Sequence, residues 1–183
     1  LSGEFEGMST GNPDLYKAFC WRYIKLLRNN GSLGIVLPNS VFYSKGSRNF
    51  RSKLYTDCSE VSICSLLNRK RWVFDDVHPQ YNFALVTAKK NKLQEHEIKV
   101  TGPYDSYKSF KSSKKKDSNI FKLSELTKSS ENLTFPLLPN QKTLVTFKKF
   151  IKHKHFSYEN DQYWSANPYR ELDSTLDKKY FVS

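Results

Sequence analysis

Two strand-like runs separated by a loop that holds no crossover helix constrain this chain more than any other feature. Residues 60–67, EVSICSLL, alternate Val61, Ile63 and Ser65 against their neighbours, as a strand with one buried face does. Residues 82–90, NFALVTAKK, read as a second strand. The segment between them, residues 68–81, leaves no room for a crossover helix, so the pair must lie antiparallel. Upstream, Asn12-Pro13 reads as a helix start, with Asn12 as cap and Pro13 in the first turn. Leu15, Ala18, Phe19, Tyr23, Leu26 and Leu27 recur at three- and four-residue steps and predict one buried stripe, ended by Asn29, Asn30 and Gly31. The nearly continuous apolar run Leu33, Ile35, Val36, Leu37 then suggests a buried strand of a parallel sheet. Pro38, Asn39 and Ser40 stop it. A second helix is expected over residues 45–55, with Phe50 and Leu54 inward and basic residues outward. The order is half of an α/β sheet whose last strand runs against the others.

After residue 90 the texture changes. Lysines outnumber acids up to residue 122, with KSSKKKDS at the centre, which reads as a solvated, disordered connector. A soft boundary falls near residue 92. It divides residues 1–92, the α/β part, from residues 93–183, a basic linker and an irregular α+β region. Within the latter, residues 141–153 predict a helix with Leu144, Phe147 and Ile151 on one face and Lys148, Lys149 and Lys152 on the other.

The net charge is +12, the pI is about 9.5, and aromatics reach 15%. Such an excess points to a polyanionic partner, nucleic acid before membrane. Cys20, Cys58 and Cys64 are odd in number, lack CxxC spacing and build no zinc set with His78, His96, His153 and His155. Free thiols in a reducing cytoplasm are the simplest account. No apolar run approaches membrane-span length, and the first residues carry no signal-peptide pattern. Position 1 is Leu rather than Met, so the chain reads as a piece of a longer polypeptide.

The stretch NPDLYKAFCWRYIKLLRNNGSLGIVLPNSVFYSKGSRNFRSKLY resembles the region that follows the catalytic tetrapeptide in adenine-specific (N6) DNA methyltransferases of bacterial restriction-modification systems. The shared pattern is a Tyr/Phe-bearing helix, a Gly-Ser-type turn, a strand ending in Pro plus a small polar residue, and a helix with an aromatic-Arg pair, here Phe50-Arg51. NRKRWVFDDVHPQYNFALVTAKK is similar to the family's final hairpin. WSANPYRELDSTLDKKYF, residues 164–181, is loosely similar to the stretch leading into the target-recognition region of the single-chain, Eco57I-like members.

The resemblance implies a partial Rossmann-like methyltransferase sheet, S-adenosylmethionine as cofactor of the parent protein, and double-stranded DNA as partner. It also implies an adenine flipped out of the duplex into a pocket that stacks the base. The family's Asn/Asp-Pro-Pro-aromatic tetrapeptide is absent: Asn12-Pro13-Asp14 has the wrong third residue and heads a helix. No GxGxxG cluster occurs among seven glycines. No catalytic residue and no bound cofactor are therefore expected in this chain, which by itself should not methylate DNA. The N-terminal half of the same parent would supply both.

By the same resemblance Phe74, in the loop between the last two strands, is the base-stacking residue. The plain alternative is an aromatic packed under its own loop. Trp72 and Tyr81 compete, Tyr81 being expected to face the core. Arg69, Lys70, Arg71 and His78 are read as DNA-backbone contacts, tempered by Asp75 and Asp76, which repel phosphate unless paired. Pro38 and Asn39 lie at the carboxyl edge of their strand, where α/β sheets gather ligands, and are read as lining the base pocket. No role is assigned to Tyr169, Arg170 or Glu171, and the lysine run 114–116 reads as a solvated loop. A competing reading is a stand-alone nucleic-acid-binding module without catalysis. A third is an interaction protein whose exposed sheet edge invites dimers. The recognition sequence, the oligomeric state and the presence of a nuclease in the parent stay open.

Overall fold

A computed structural model describes residues 14–91, 96–113, 118–138 and 140–153. Asn12, Pro13, the lysine run 114–116 and residues 164–181 lie outside the described residues. The elements run α1 (Leu15–Leu26), β1 (Ser32–Pro38), α2 (Arg48–Asp57), β2 (Cys58–Leu67), β3 (Asn82–Lys90), β4 (Glu97–Tyr104), α3 (Tyr107–Ser112), β5 (Asn119–Lys122), α4 (Leu123–Ser129) and α5 (Gln141–Phe150). Two 3-10 turns, Asn39–Phe42 and Lys45–Ser47, link β1 to α2.

The five strands form one mixed sheet in the order β1-β3-β2-β4-β5. The expected hairpin is present: β2 and β3 pair antiparallel, and β3 spans the nine residues expected. The parallel pair is β2 with β4. The expectation for β1 is corrected. Among the described residues it is an edge strand, paired with β3 alone and antiparallel to it, and alternate residues are exposed, Val36 at 49%. The long β2–β3 connection lets β3 return between β1 and β2, so β1 never meets a parallel neighbour.

The lysine-rich stretch is also corrected. It contains β4 and β5, which extend the sheet across the boundary expected near residue 92. Ile98 and Val100 are buried while Lys99 between them is exposed, a period-2 pattern that the surrounding lysines obscure.

One face of the sheet carries α1, α2, α4 and α5. Val61, Ile63, Ala84, Val86, Ile98, Val100 and Phe121 form a single core cluster with Ile24 of α1, Leu54 and Tyr55 of α2, Leu126 of α4 and Leu144 of α5. The expected inward face of α5 is observed, with Leu144 buried and Phe147 packed against the core. The face of α1 is not the expected one. Lys17, Cys20, Trp21 and Ile24 are buried, whereas Leu15, Phe19, Tyr23 and Leu26 are exposed at 72%, 48%, 38% and 69%. Both sets repeat with helical period because α1 is apolar almost all round, so periodicity alone does not choose between them. The helix ends at Leu26, where the Lys90 ammonium donates to the carbonyls of Ile24 and Leu27.

Within α2, Phe50 and Leu54 point inward as expected, but Arg51 does too and is fully buried. Its guanidinium donates to the carbonyls of Val41, Ser44 and Asn132. One side chain thus joins α2 to the turn after β1 and to the segment after α4. Burial lowers the pKa of Arg51, yet a guanidinium remains charged across the working pH range.

Candidate functional site

The carboxyl ends of β1, β2 and β4 lie at one end of the sheet. Directly paired residues there share a face, which places Pro38, Phe83, Leu66 and Tyr104 in one row across β1, β3, β2 and β4. This row lies on the face away from α1, α2, α4 and α5, and the loop 68–81 folds over it. The Phe74 ring meets Phe83 edge-on at 4.7 Å between centroids. Trp72 lies 6.3 Å from Phe110 of α3, and Phe110 lies 5.7 Å from Tyr104.

The loop is shaped by Asn68. Asn68 is fully buried. Its Oδ1 accepts from the backbone N–H groups of Val73 and Phe74, both at 3.1 Å. Its Nδ2 donates to the carbonyls of Phe74 and Val77 at 3.3 and 3.1 Å. All four hydrogen-bonding capacities of the amide are used. The Trp72 indole N–H adds a 2.7 Å bond to the Leu67 carbonyl. These bonds hold a strained backbone: Lys70 and Arg71 have φ of 58° and 57°, which costs a non-glycine residue roughly 1–2 kcal/mol. Asparagine's habit of bonding backbone a few residues on was the available signal. Asn68→Ala should cost about 1–3 kcal/mol through the polar groups it orphans. It should also open the loop, so trypsin cleavage at Arg69–Arg71 in the native chain should accelerate. Unchanged cleavage would remove Asn68 as the loop's organiser.

The residues singled out from sequence fall as follows. Phe74 is 40% exposed, and its ring stands at 70° to that of Phe83. Arg69, Lys70, Arg71 and His78 are exposed on the same loop. His78 accepts from the Gln80 N–H through Nδ1. Tyr81 does not face the core: it is 63% exposed and stands edge-on to His78. It precedes the first β3 residue, outside the strand's pleat. Asp75 and Asp76 are exposed and, among the described residues, form no ion pair with the neighbouring arginines. Pro38 closes β1 opposite Phe83. Asn39 is 8% exposed, and its Oδ1 has no hydrogen-bond partner among the described residues. An orphaned buried acceptor costs about 1–3 kcal/mol, which makes it a ready site for an incoming donor. From α1, Tyr16 hydrogen-bonds the hydroxyls of Ser47 and Ser40, and burial raises its pKa above the usual phenol value.

Nothing in the described residues offers other chemistry. Burial pushes the Cys20 thiol up to about 12 and Cys58 to about 11. Both are protonated near neutral pH and are not nucleophiles. All three cysteines are free, and no cluster of three potential metal ligands occurs among the described residues. No helix there is long and apolar enough to cross a membrane. A concavity of about 530 Å³ lies at the opposite end of the sheet, lined by Ser32, Gly34, Ser62, Thr87, Lys89 and Lys99, away from the aromatic row.

A solved cryo-EM structure of a DrdV–DNA complex shares the fold, with a TM-score of 0.50 at 14% sequence identity. The similarity covers 67% of this chain, and the chain spans 14% of the length of that one. No curated protein matches the chain. Residues 1–74, a stretch that ends on Phe74, match the family model of the Eco57I restriction-modification methylase, and over that stretch the chain is similar to those enzymes.

Proposed function

We propose that this chain forms the base-facing wall of a site-specific DNA adenine-N6 methyltransferase of a restriction-modification system. The observation that carries the reading is the placement of Phe74. A half-exposed ring stands on Phe83 at the carboxyl end of the sheet, held by the fully bonded Asn68, beside the strand end that bears Pro38 and Asn39. Ligands of open α/β sheets gather at that end. A part-exposed aromatic ring there suits an adenine extruded from duplex DNA, and the exposed Arg69, Lys70, Arg71 and His78 suit the phosphates on either side. Asn39 Oδ1 would accept from a polar edge of the base.

S-adenosylmethionine is the methyl donor that this reading requires, and the residues present do not fit it. Gly31 lies in the turn after α1, Gly34 sits within β1, and Gly102 closes on the Ser65 carbonyl. Gly46 stands as a single glycine in the connection from β1 to α2, and among the described residues no glycine-rich turn joins a strand to a helix. No step through the donor is therefore assigned to this chain. Donor binding and the tetrapeptide that holds the amino group belong to the N-terminal half of the parent polypeptide. The free edge of β1 is where that half would continue the sheet. The residues of this chain stack, orient and neutralise.

The test is product analysis. The full-length parent, given labelled S-adenosylmethionine and duplex DNA, should produce N6-methyladenine at one recognition sequence. Label in N4-methylcytosine, or none in DNA, would sink the assignment.

A further inference from the structure

We infer that α3, through Lys108, Lys111 and Tyr107, is a second contact element for the phosphate backbone of the same duplex. This rests on the DNA-facing reading of the loop 68–81. Three observations carry it. First, α3 is fastened to that loop. Phe110 lies between Trp72 and Tyr104, and Trp72 is itself bonded to the end of β2. Secondly, the rest of α3 is open. Tyr107 is 61% exposed, Lys108 and Lys111 are exposed, and the Lys111 ammonium lies 5.8 Å from the Tyr107 ring centroid. Neither lysine forms an ion pair with a described acidic residue. Thirdly, the loop alone is a modest cationic surface. Arg69, Lys70 and Arg71 are offset by exposed Asp75 and Asp76. The two lysines of α3, against the one exposed carboxylate of Asp105 at its start, add positive charge beside Trp72, so cations stand on two elements around the aromatic row.

The complementary partner is duplex DNA. A lysine is a compact charge suited to phosphate oxygens rather than to base edges, so the contact should be independent of sequence. It lengthens the footprint beyond the extruded base and resists rotation of the duplex about the Phe74 contact.

The test measures binding of the 183-residue chain to duplex DNA across a range of salt concentrations. Wild type is compared with Lys108→Gln/Lys111→Gln, with the matching Lys→Arg pair, and with Arg69→Gln/Arg71→Gln. Each lost phosphate contact removes about 0.9 from the slope of log affinity against log salt. The Gln pair on α3 should therefore flatten the slope by about two and weaken low-salt binding, while the Arg pair restores both. Exposed side chains carry the changes, and unchanged circular dichroism checks the fold. A wild-type slope in the α3 Gln pair, with a flattened slope in the loop pair, overturns the inference and leaves the proposed function standing. Absence of salt-dependent duplex binding by wild type also overturns it, and the methylation product then decides the proposed function separately. Tighter binding to single-stranded RNA than to duplex overturns the choice of partner.

Discussion

Phe74→Ala in the full-length enzyme should lower methylation turnover on duplex DNA by between about fivefold and about a hundredfold. A base stacked on an aromatic ring gains roughly 1–3 kcal/mol, and each 1.36 kcal/mol is about tenfold in rate when it is lost from the transition state. The loss should fall on turnover and DNA affinity, with affinity for the methyl donor unchanged, because in the proposed function the donor is held by the N-terminal half of the parent and not by this loop. Phe74→Trp should keep most of the activity, since the indole also offers a flat face. Because Phe74 also packs edge-on against Phe83, urea unfolding should show only a small destabilisation in the alanine variant. Wild-type turnover in Phe74→Ala would reduce Phe74 to loop packing.

The largest effect on stability is expected at Arg51. Arg51→Met should cost about 3–5 kcal/mol, since each buried carbonyl left without its donor costs about 1–3 kcal/mol and removing the buried charge offsets part of that sum. The methylenes are kept, but the carbonyls of Val41, Ser44 and Asn132 lose their donor inside the protein. Arg51→Lys should recover only part of the loss, because one ammonium does not reproduce a planar fork aimed at three carbonyls. Equilibrium urea unfolding is the measurement. A cost below about 1 kcal/mol would show those carbonyls to be satisfied elsewhere. Arg48 adds a neighbouring bond to the Glu131 carbonyl, so Arg48→Met should cost less and should couple to Arg51→Met when the two are combined.

Several parts of this architecture are readable from local text. The strand 82–90, its antiparallel partner and the inward face of α5 follow from periodicity and from a connection too short to cross over. The candidate site is partly readable too. Phe74 and the loop cations were named from the hairpin resemblance, and the loop does stand at the carboxyl end with Pro38 and Asn39. Asn68 was readable in kind, as a turn residue, but not in degree. Its four bonds reach residues 73 to 77, and their count depends on how the loop closes. Phe83, Tyr104 and Phe110 were missed because two of them follow residue 92, where lysine content conceals the alternation of Ile98, Lys99 and Val100.

The aromatic loop of residues 68–81 and its antiparallel strands were determined by the sequence itself, because alternation and loop length act between near neighbours. Three matters were decided only by the tertiary structure: which face of α1 is buried, the place of β1 at an edge, and the burial of Arg51. Each depends on partners far along the chain. Cys20, Trp21 and Ile24 win over Phe19 and Tyr23 because the sheet meets that side of a helix apolar on nearly every side. β1 is an edge because β3 inserts beside it. Arg51 is buried because a carbonyl 81 residues away, that of Asn132, is waiting for its donor. Local periodicity carries no information about such distant pairings, whereas the free energy of burying a charge or a strand edge depends on them entirely.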